Sequence, residues 1–180
     1  MANTVSTRTF DFNTVIQDPS LSLFQKVLLA TDGTVTQLLE IYTGQSVKVE
    51  KLAQIIVHNE ACDRLQTQAS HALLKRSILL CNHQQTLLYA QSYFVIDRLP
   101  DSMNQALLNS DQPIGLLWRA ERMETYREIA HFSRQADPAL AHYFNVADDE
   151  PFLARTYLIF RQHQPLGMIT EKFPVSYFRS

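Results

Sequence analysis

The segment LLKRSILLC occupies residues 73–81 and is apolar at most of its positions. Its length and its bulky aliphatic residues predict a strand that enters the interior of a sheet. Side chains alternate along a strand, so Arg76 lies on the same face as Leu74, Ile78 and Leu80. Burial of an unpaired charge costs on the order of several kcal/mol, so this guanidinium needs a partner, a ligand or water.

Other strands can be predicted on both sides of this segment. Residues 86–96 are again mostly apolar, and the intervening NHQQ is a turn signal that predicts a hairpin. LARTYLIF and GMITEKFPVSYF predict a final hairpin around residues 162–167. SVKVEKLAQIIV predicts a further long strand, because Val47 and Val49 begin an alternating pattern.

Helical patterns precede and separate these strands. SLSLFQKVLLA places Leu21, Phe24 and Leu28 on one side of a helix, and TVTQLLEIYTG predicts a second helix that ends at Gly44. DSMNQALLNS, QPIGLLW and DPALAHYFNV predict three short helices, whereas RMETYREIAHF fits either a helix or a strand. NEACDRLQTQAS is a polar connection that also fits a helix. Helices at the front and hairpins later, without a βαβ rhythm, predict an α+β fold with one antiparallel sheet.

The composition predicts one globular domain. The chain has 180 residues, 46% of them hydrophobic, which is enough for a substantial core. We expect a loose N-terminal arm over residues 1–19 and a single domain over residues 20–180, because no linker or repeat interrupts the chain. The net charge of −2 argues against binding to nucleic acid. No apolar run approaches the ~18 residues of a membrane span, and the polar N-terminus predicts a cytoplasmic protein.

Motifs for metals and nucleotide cofactors are absent from the sequence. Cys62 and Cys81 form no zinc pattern and are best interpreted as small buried hydrophobic residues. The six histidines show no ligand spacing, and no GxGxxG, Walker or GxSxG motif occurs. We therefore predict neither a metal nor a cofactor.

Glu171 repeats the situation of Arg76 on the last strand. It shares a face with Ile169, Phe173 and Val175, and all three are apolar. Three interpretations remain open: both charged tips reach water near sheet edges, the two side chains pair with each other, or they bind a ligand.

Gln91 and Arg155 are further polar residues within apolar or aromatic strand segments. A sheet face with one acid, one or two guanidiniums and several aromatic rings is suited to an anionic ring compound. These positions are therefore candidates for the same site.

Four segments in a characteristic order and spacing carry a family resemblance. LLATDGTVTQLLE, RSILLC, QPIGLLW and QPLGMITEKF together resemble the chorismate lyase family, whose members make 4-hydroxybenzoate and pyruvate from chorismate. The resemblance runs from about residue 20 to the C-terminus. It implies one antiparallel sheet flanked by helices, with flaps at residues 34–43 and 113–115 over a buried ligand pocket. Effector-binding domains of some bacterial transcription regulators have the same fold.

The resemblance also implies roles for individual residues. Arg76 matches the arginine that binds the ring carboxylate, and Glu171 matches a glutamate near the oxygen at C4 of the ring. Main-chain amides at Val35 and Ile114 would add hydrogen-bond donors to the ring carboxylate, and Gly115 would shape the turn over the pocket.

One position departs from the family pattern. Better-known members have a second arginine fifteen residues after the first, and Gln91 stands at that position here. We expect Gln91 to point into or beside the pocket. Gln91 brings no charge, so Arg155 is the other candidate for holding the enolpyruvyl carboxylate.

These expectations describe a cofactor-independent lyase with chorismate as its substrate. Arg76 would anchor the ring, and Glu171 would act as an acid or a base. The resemblance implies that 4-hydroxybenzoate would supply head groups of quinones such as ubiquinone or plastoquinone. The alternative is a non-catalytic binding or sensor domain for small aromatic acids on the same fold.

Overall fold

The computed structural model describes residues 8–58, 61–109, 118 and 122–179, and these residues build an antiparallel sheet of seven strands. The strands are β1 (Arg8–Phe10), β2 (Lys48–Val57), β3 (Leu73–Cys81), β4 (Thr86–Val95), β5 (Tyr126–Ala136), β6 (Pro151–Arg161) and β7 (Gln164–Pro174). Their order across the sheet is β1-β5-β6-β7-β4-β3-β2. The predicted α+β fold and both predicted hairpins, β3–β4 and β6–β7, are confirmed.

The described helices lie between these strands in the chain. They are α1 (Phe12–Gln17), α2 (Leu23–Ala30), α3 (Val35–Thr43), α4 (Asp101–Asn109) and α5 (Pro138–Phe144), with 3-10 turns at Asp63–Leu65 and Ile96–Arg98. The ambiguous segment RMETYREIAHF enters strand β5 at Tyr126, and NEACDRLQTQAS contains a 3-10 turn. The helix predicted for QPIGLLW lies outside the described residues except for Trp118. No helix in the described ranges is long and apolar enough to cross a membrane.

Residues 8–17 are more structured than the loose arm expected over residues 1–19. β1 pairs with β5, and the Asp11 carboxylate caps α1 by accepting the Thr14 N–H at 2.7 Å. Val15 on α1 is buried in the main core. The helix has only six residues and one buried apolar residue, so the sequence shows no helical periodicity by which to predict it.

Local interactions explain where α2 and α3 begin and end. Ser22 and Gln25 form a reciprocal capping box at the start of α2, which satisfies two backbone donors. Gly44 ends α3 in the left-handed region at φ 66°, a conformation that glycine adopts without strain. The turn around Gly33 separates the two helices and lies over the sheet.

The two faces of the sheet have different coverings. Residues of α1 to α4 pack with Leu74, Ile78, Leu80 and Phe94 in the main hydrophobic core. On the opposite face, α5 packs through Leu140 and Phe144 on other strand residues. Arg76 has the same parity as Leu74 and Ile78, so it faces the larger core.

Candidate active site

A cavity lies between the helix-covered face of the sheet and the turn that leads into α3. Its volume is about 60 Å³. β3, β4, β6 and β7 supply its floor, residues 33–36 cover it, and Trp118 and Arg127 complete its sides. A larger depression of about 980 Å³ lies on the surface near the β6–β7 turn, but it is open and its described lining contains no buried charged side chain.

The buried charged side chains of the described residues all belong to the sheet face under the cavity. They are Arg76, Arg155 and Glu171, which are 1%, 2% and 7% exposed. The interpretation that Arg76 and Glu171 reach water at sheet edges is therefore wrong. β3, β7 and β6 are interior strands of the sheet, so a charged side chain on this face is covered by the helices above it.

Two adjacent rows of paired residues cross this face. The first row is Arg76, Ser92, Ile169 and Tyr157, and the second row is Ile78, Ala90, Glu171 and Arg155. Small side chains occupy the β4 position in each row, which leaves open space above that strand. Two interstrand spacings separate β3 from β7, so these two strands are about 10 Å apart, and Arg76 and Glu171 are also offset by one row along them.

Glu171 belongs to a buried hydrogen-bonded cluster. Arg155 Nε donates to Glu171 Oε2 at 2.7 Å, and the Tyr157 hydroxyl donates to Oε1 at 3.3 Å. The guanidinium of Arg155 also donates to the main-chain oxygen of Thr31, which connects the sheet to the end of α2. Burial raises the pKa of the Tyr157 hydroxyl well above its ordinary value, and the neighbouring Glu171 raises it further. Tyr157 is therefore a hydrogen-bond donor at neutral pH.

Arg155 lies on the same sheet face as Glu171, but its side chain is occupied by protein partners. It is held by Glu171 and Thr31, and its guanidinium lies 5.1 Å from the centroid of the Tyr157 ring. This arrangement orients the Glu171 carboxylate. It leaves Arg155 poorly placed for the second carboxylate of a substrate.

Val35 lies in the cavity lining, as the resemblance implied, together with Thr34 and Thr36. It begins α3, where the first backbone N–H groups of a helix have no acceptor within the helix. The N-terminus of a helix is suited to bind a carboxylate. The predicted partners Ile114 and Gly115 lie outside the described residues.

The prediction that Gln91 points into or beside the pocket is wrong. Arg76 pairs with Ser92, whereas Gln91 pairs with Ser77 and Thr170 on the opposite face of the sheet. Its Nε2 group donates to the Tyr89 hydroxyl at 3.3 Å. Because alternate residues of a strand point to opposite faces, Ser92 occupies the cavity position that we expected for Gln91.

Among the cavity-lining residues that sequence reasoning did not identify are Ser92, Trp118, Arg127 and Tyr157. Arg127 is in the segment that fitted both a helix and a strand, so its direction could not be predicted. Trp118 is 5% exposed, and its indole Nε1–H has no hydrogen-bond partner among the described residues. A buried donor without a partner at a cavity wall is suited to a ligand oxygen. Tyr157 stands two residues after Arg155 and so shares its face of the strand, which is a signal that the sequence contains.

Structural comparison supports the fold. The effector domain of PhnF from Mycobacterium smegmatis superposes with a TM-score of 0.62 at 12% sequence identity, covering 79% of this chain and 88% of that one. At this identity the likeness concerns the architecture alone.

Sequence comparison identifies relatives along most of the chain. A chorismate pyruvate-lyase from Mycobacterium leprae is 30% identical over 158 residues, which are 86% of this chain and 75% of that protein. A chorismate pyruvate-lyase from Mycobacterium tuberculosis is 30% identical over 164 residues, 86% of this chain and 81% of that protein. The family model described as chorismate pyruvate-lyase Rv2949c-like matches residues 29–179. The chain therefore belongs to the Rv2949c-like chorismate pyruvate-lyase family.

Proposed function

We propose that this protein removes pyruvate from chorismate and forms 4-hydroxybenzoate. The observation that carries the proposal is the buried Arg76 guanidinium on one side of the cavity, with the Glu171–Tyr157–Arg155 cluster on the other. A flat ring with a carboxylate at one end and an oxygen at the other has groups complementary to Arg76 at one side and to Glu171 and Tyr157 at the other. The named activity of the relatives agrees with it.

Arg76 anchors the ring carboxylate in this proposal. A guanidinium forms two parallel charge-assisted hydrogen bonds with a carboxylate, which defines both the position and the plane of the ring. The α3 N-terminus at Val35 adds backbone donors from the covering side. The ring would lie above Ala90 and Ser92. Their side chains are small, so the ring can approach the sheet closely.

Glu171 accepts the proton in the proposed chemistry. It forms its ion pair with Arg155 as a carboxylate, which accepts protons and has none to donate. Removal of the hydrogen at C4 leaves its electron pair to form the ring C3–C4 double bond. The bond between C3 and the ether oxygen then breaks, and the enolpyruvate takes up a proton at its methylene carbon to become pyruvate.

This elimination conserves electrons, so it needs no net oxidant or reductant. Aromatisation makes it strongly downhill, and the protein mainly orients the ether and the proton acceptor. We propose that it proceeds without a metal or cofactor. The 4-hydroxybenzoate would supply aromatic head groups of quinones such as ubiquinone or plastoquinone.

A direct assay tests the proposal. Purified protein is incubated with chorismate, with and without a chelator, and 4-hydroxybenzoate and pyruvate are quantified by chromatography and by a coupled enzymatic assay. We expect equal amounts of both products at a rate well above that of spontaneous breakdown, unaffected by the chelator. If 4-hydroxybenzoate binds but chorismate is not consumed, the chain is a non-catalytic binding domain.

A further inference from the structure

The second carboxylate of chorismate needs a binding group that the sequence did not identify. This carboxylate belongs to the enolpyruvyl side chain and is absent from 4-hydroxybenzoate. Gln91 faces the other side of the sheet, and the Arg155 side chain is held by Glu171 and Thr31. Another cationic side chain in the described cavity lining is therefore the candidate for this role.

Arg127 lies at the opposite side of the cavity from Arg76. It is on β5, with β6, β7 and β4 between it and β3, and it belongs to the cavity lining. Its guanidinium carbon is 5.7 Å from the centroid of the Tyr157 ring, which directs the charged group over this wall of the cavity. A substrate anchored at Arg76 would extend its enolpyruvyl group across the sheet toward this position.

The hydrogen bonds of Arg127 leave part of its guanidinium available for a ligand. Nη1 donates to the main-chain oxygens of Asp32 and Gly33 at 2.6 and 3.1 Å, which holds the group beside the turn before α3. The ion pairs within the described part of the chain are Arg155–Glu171 and Lys172–Asp137, so no described carboxylate neutralises Arg127. The guanidinium has five N–H donors in a planar fork. Both of these bonds come from Nη1, so the donors on Nη2 and Nε are not used by them.

Arg127 also stands between the cavity and the surface. An open depression of about 260 Å³ outside the cavity shares Gly33, Thr34 and Arg127 with the cavity lining. A group bound at Arg127 is therefore next to the exterior. The part of the substrate that leaves as pyruvate would lie on this side.

We infer that Arg127 binds the enolpyruvyl carboxylate of chorismate and so distinguishes the substrate from the product. This inference rests on the proposed function. The main-chain oxygens of Asp32 and Gly33 accept hydrogen bonds from the same guanidinium. These bonds fix the position of the charged group that would bind the substrate. The product has no group at this position, and its affinity does not depend on Arg127.

The test compares Arg127→Gln and Arg127→Lys with the wild type and with Arg134→Gln. Arg134 is a matched control, since it is also on β5 and its Nη1 donates to Ser20 Oγ at 3.4 Å away from the cavity lining. Steady-state kinetics with chorismate and calorimetric titration with 4-hydroxybenzoate are measured for each protein. We expect Arg127→Gln to lower kcat/KM at least about tenfold while the product Kd changes less than about twofold.

The remaining outcomes distinguish this role from others. Arg127→Lys should recover part of the loss because it keeps the charge without the planar fork, and Arg134→Gln should match the wild type. A kcat/KM for Arg127→Gln within about twofold of the wild type overturns the inference. So does an equal loss of substrate and product affinity, which would show that Arg127 acts through the turn.

The wild type in the same assay tests the proposed function separately. If it does not turn chorismate over, the proposed function fails, and calorimetric titration with chorismate then tests Arg127. Weaker chorismate binding by Arg127→Gln, with the product Kd unchanged, would still support the inference. An unchanged chorismate Kd, or no chorismate binding by the wild type, would overturn it.

Discussion

Arg76 is a long cationic side chain that is 1% exposed on an interior strand and lines the cavity. If a carboxylate binds there, Arg76→Ala should weaken 4-hydroxybenzoate binding at least about tenfold, since a lost charge-assisted contact exceeds about 1.4 kcal/mol. Arg76→Lys should recover only part of the affinity, because an ammonium cannot form the bidentate fork. Calorimetric titration measures both changes.

A volume control separates charge from packing at this position. Arg76→Met keeps most of the side-chain bulk and removes the charge, so it should bind 4-hydroxybenzoate as poorly as Arg76→Ala. Unchanged affinity in either variant would contradict the assignment of Arg76 to the ring carboxylate. Thermal unfolding of each variant shows whether the fold is retained.

Glu171 combines a proposed chemical role with a structural one. Glu171→Gln keeps an oxygen acceptor for Arg155 or Tyr157 but removes proton transfer. We expect kcat to fall by roughly 10²–10⁴, with 4-hydroxybenzoate affinity within a few fold of the wild type. Single-turnover kinetics and product titration measure the two effects.

The ion pair determines how the result for Glu171 is interpreted. Loss of the carboxylate leaves the buried Arg155 charge without its counterion, so we also expect a lower free energy of unfolding in urea. Turnover by Glu171→Gln at nearly the wild-type rate would restrict Glu171 to orienting Arg155.

At the scale of the element, β4 shows how one strand serves two surfaces. Ala90 faces the cavity beside Glu171, and Gln91 faces the opposite side. Ala90→Leu should fill the space above the strand and weaken 4-hydroxybenzoate binding more than about tenfold. Gln91→Arg, one residue away, should leave the affinity within about twofold. Titration of both variants checks the register, and equal effects would contradict it.

The error at Gln91 has its cause in the β3–β4 hairpin. The family spacing of fifteen residues would put the second arginine on the cavity face only in a different register. Here the pairing shifts between Leu80 and Cys81, and Ser92 becomes the partner of Arg76. A shift of one residue exchanges the two faces of a strand, so parity cannot be carried across a hairpin whose turn is unknown.

At the scale of the whole molecule, Tyr157 couples stability to pH. Its pKa is raised in the folded protein by burial first and by Glu171 second, from an ordinary value of about 10 in the unfolded chain. The stabilisation is therefore fully present below about pH 10 and is lost as the pH rises further, because the unfolded chain releases a proton that the folded protein retains.

A variant isolates this contribution. The free energy of unfolding of the wild type should fall more steeply between about pH 9 and about pH 11 than that of Tyr157→Phe. Urea unfolding at several pH values measures the difference between the two proteins. A difference that does not change with pH would show that Tyr157 ionises as readily in the folded protein as in the unfolded chain.

Local pattern in the sequence was sufficient for the strands β3, β4, β6 and β7, for α2 and α3, and for the family. It also identified Arg76 and Glu171, because a charge among apolar residues of the same parity is visible within a single strand. Both side chains lie on the cavity face of the sheet.

Strand register and contacts between distant segments could be read only from the folded chain. The hydrogen bonds of Arg127 to the Asp32–Gly33 turn join segments more than 90 residues apart. The Arg155–Glu171 pair and the direction of Gln91 lie within hairpins, and they depend on the register of each hairpin. Their geometry follows from register, bulges and the packing of α3 over the sheet, which depend on the whole chain at once. Alternation along a strand defines its two faces. Tertiary packing determines which of these faces lines the cavity and which cationic side chain has donors available for a ligand.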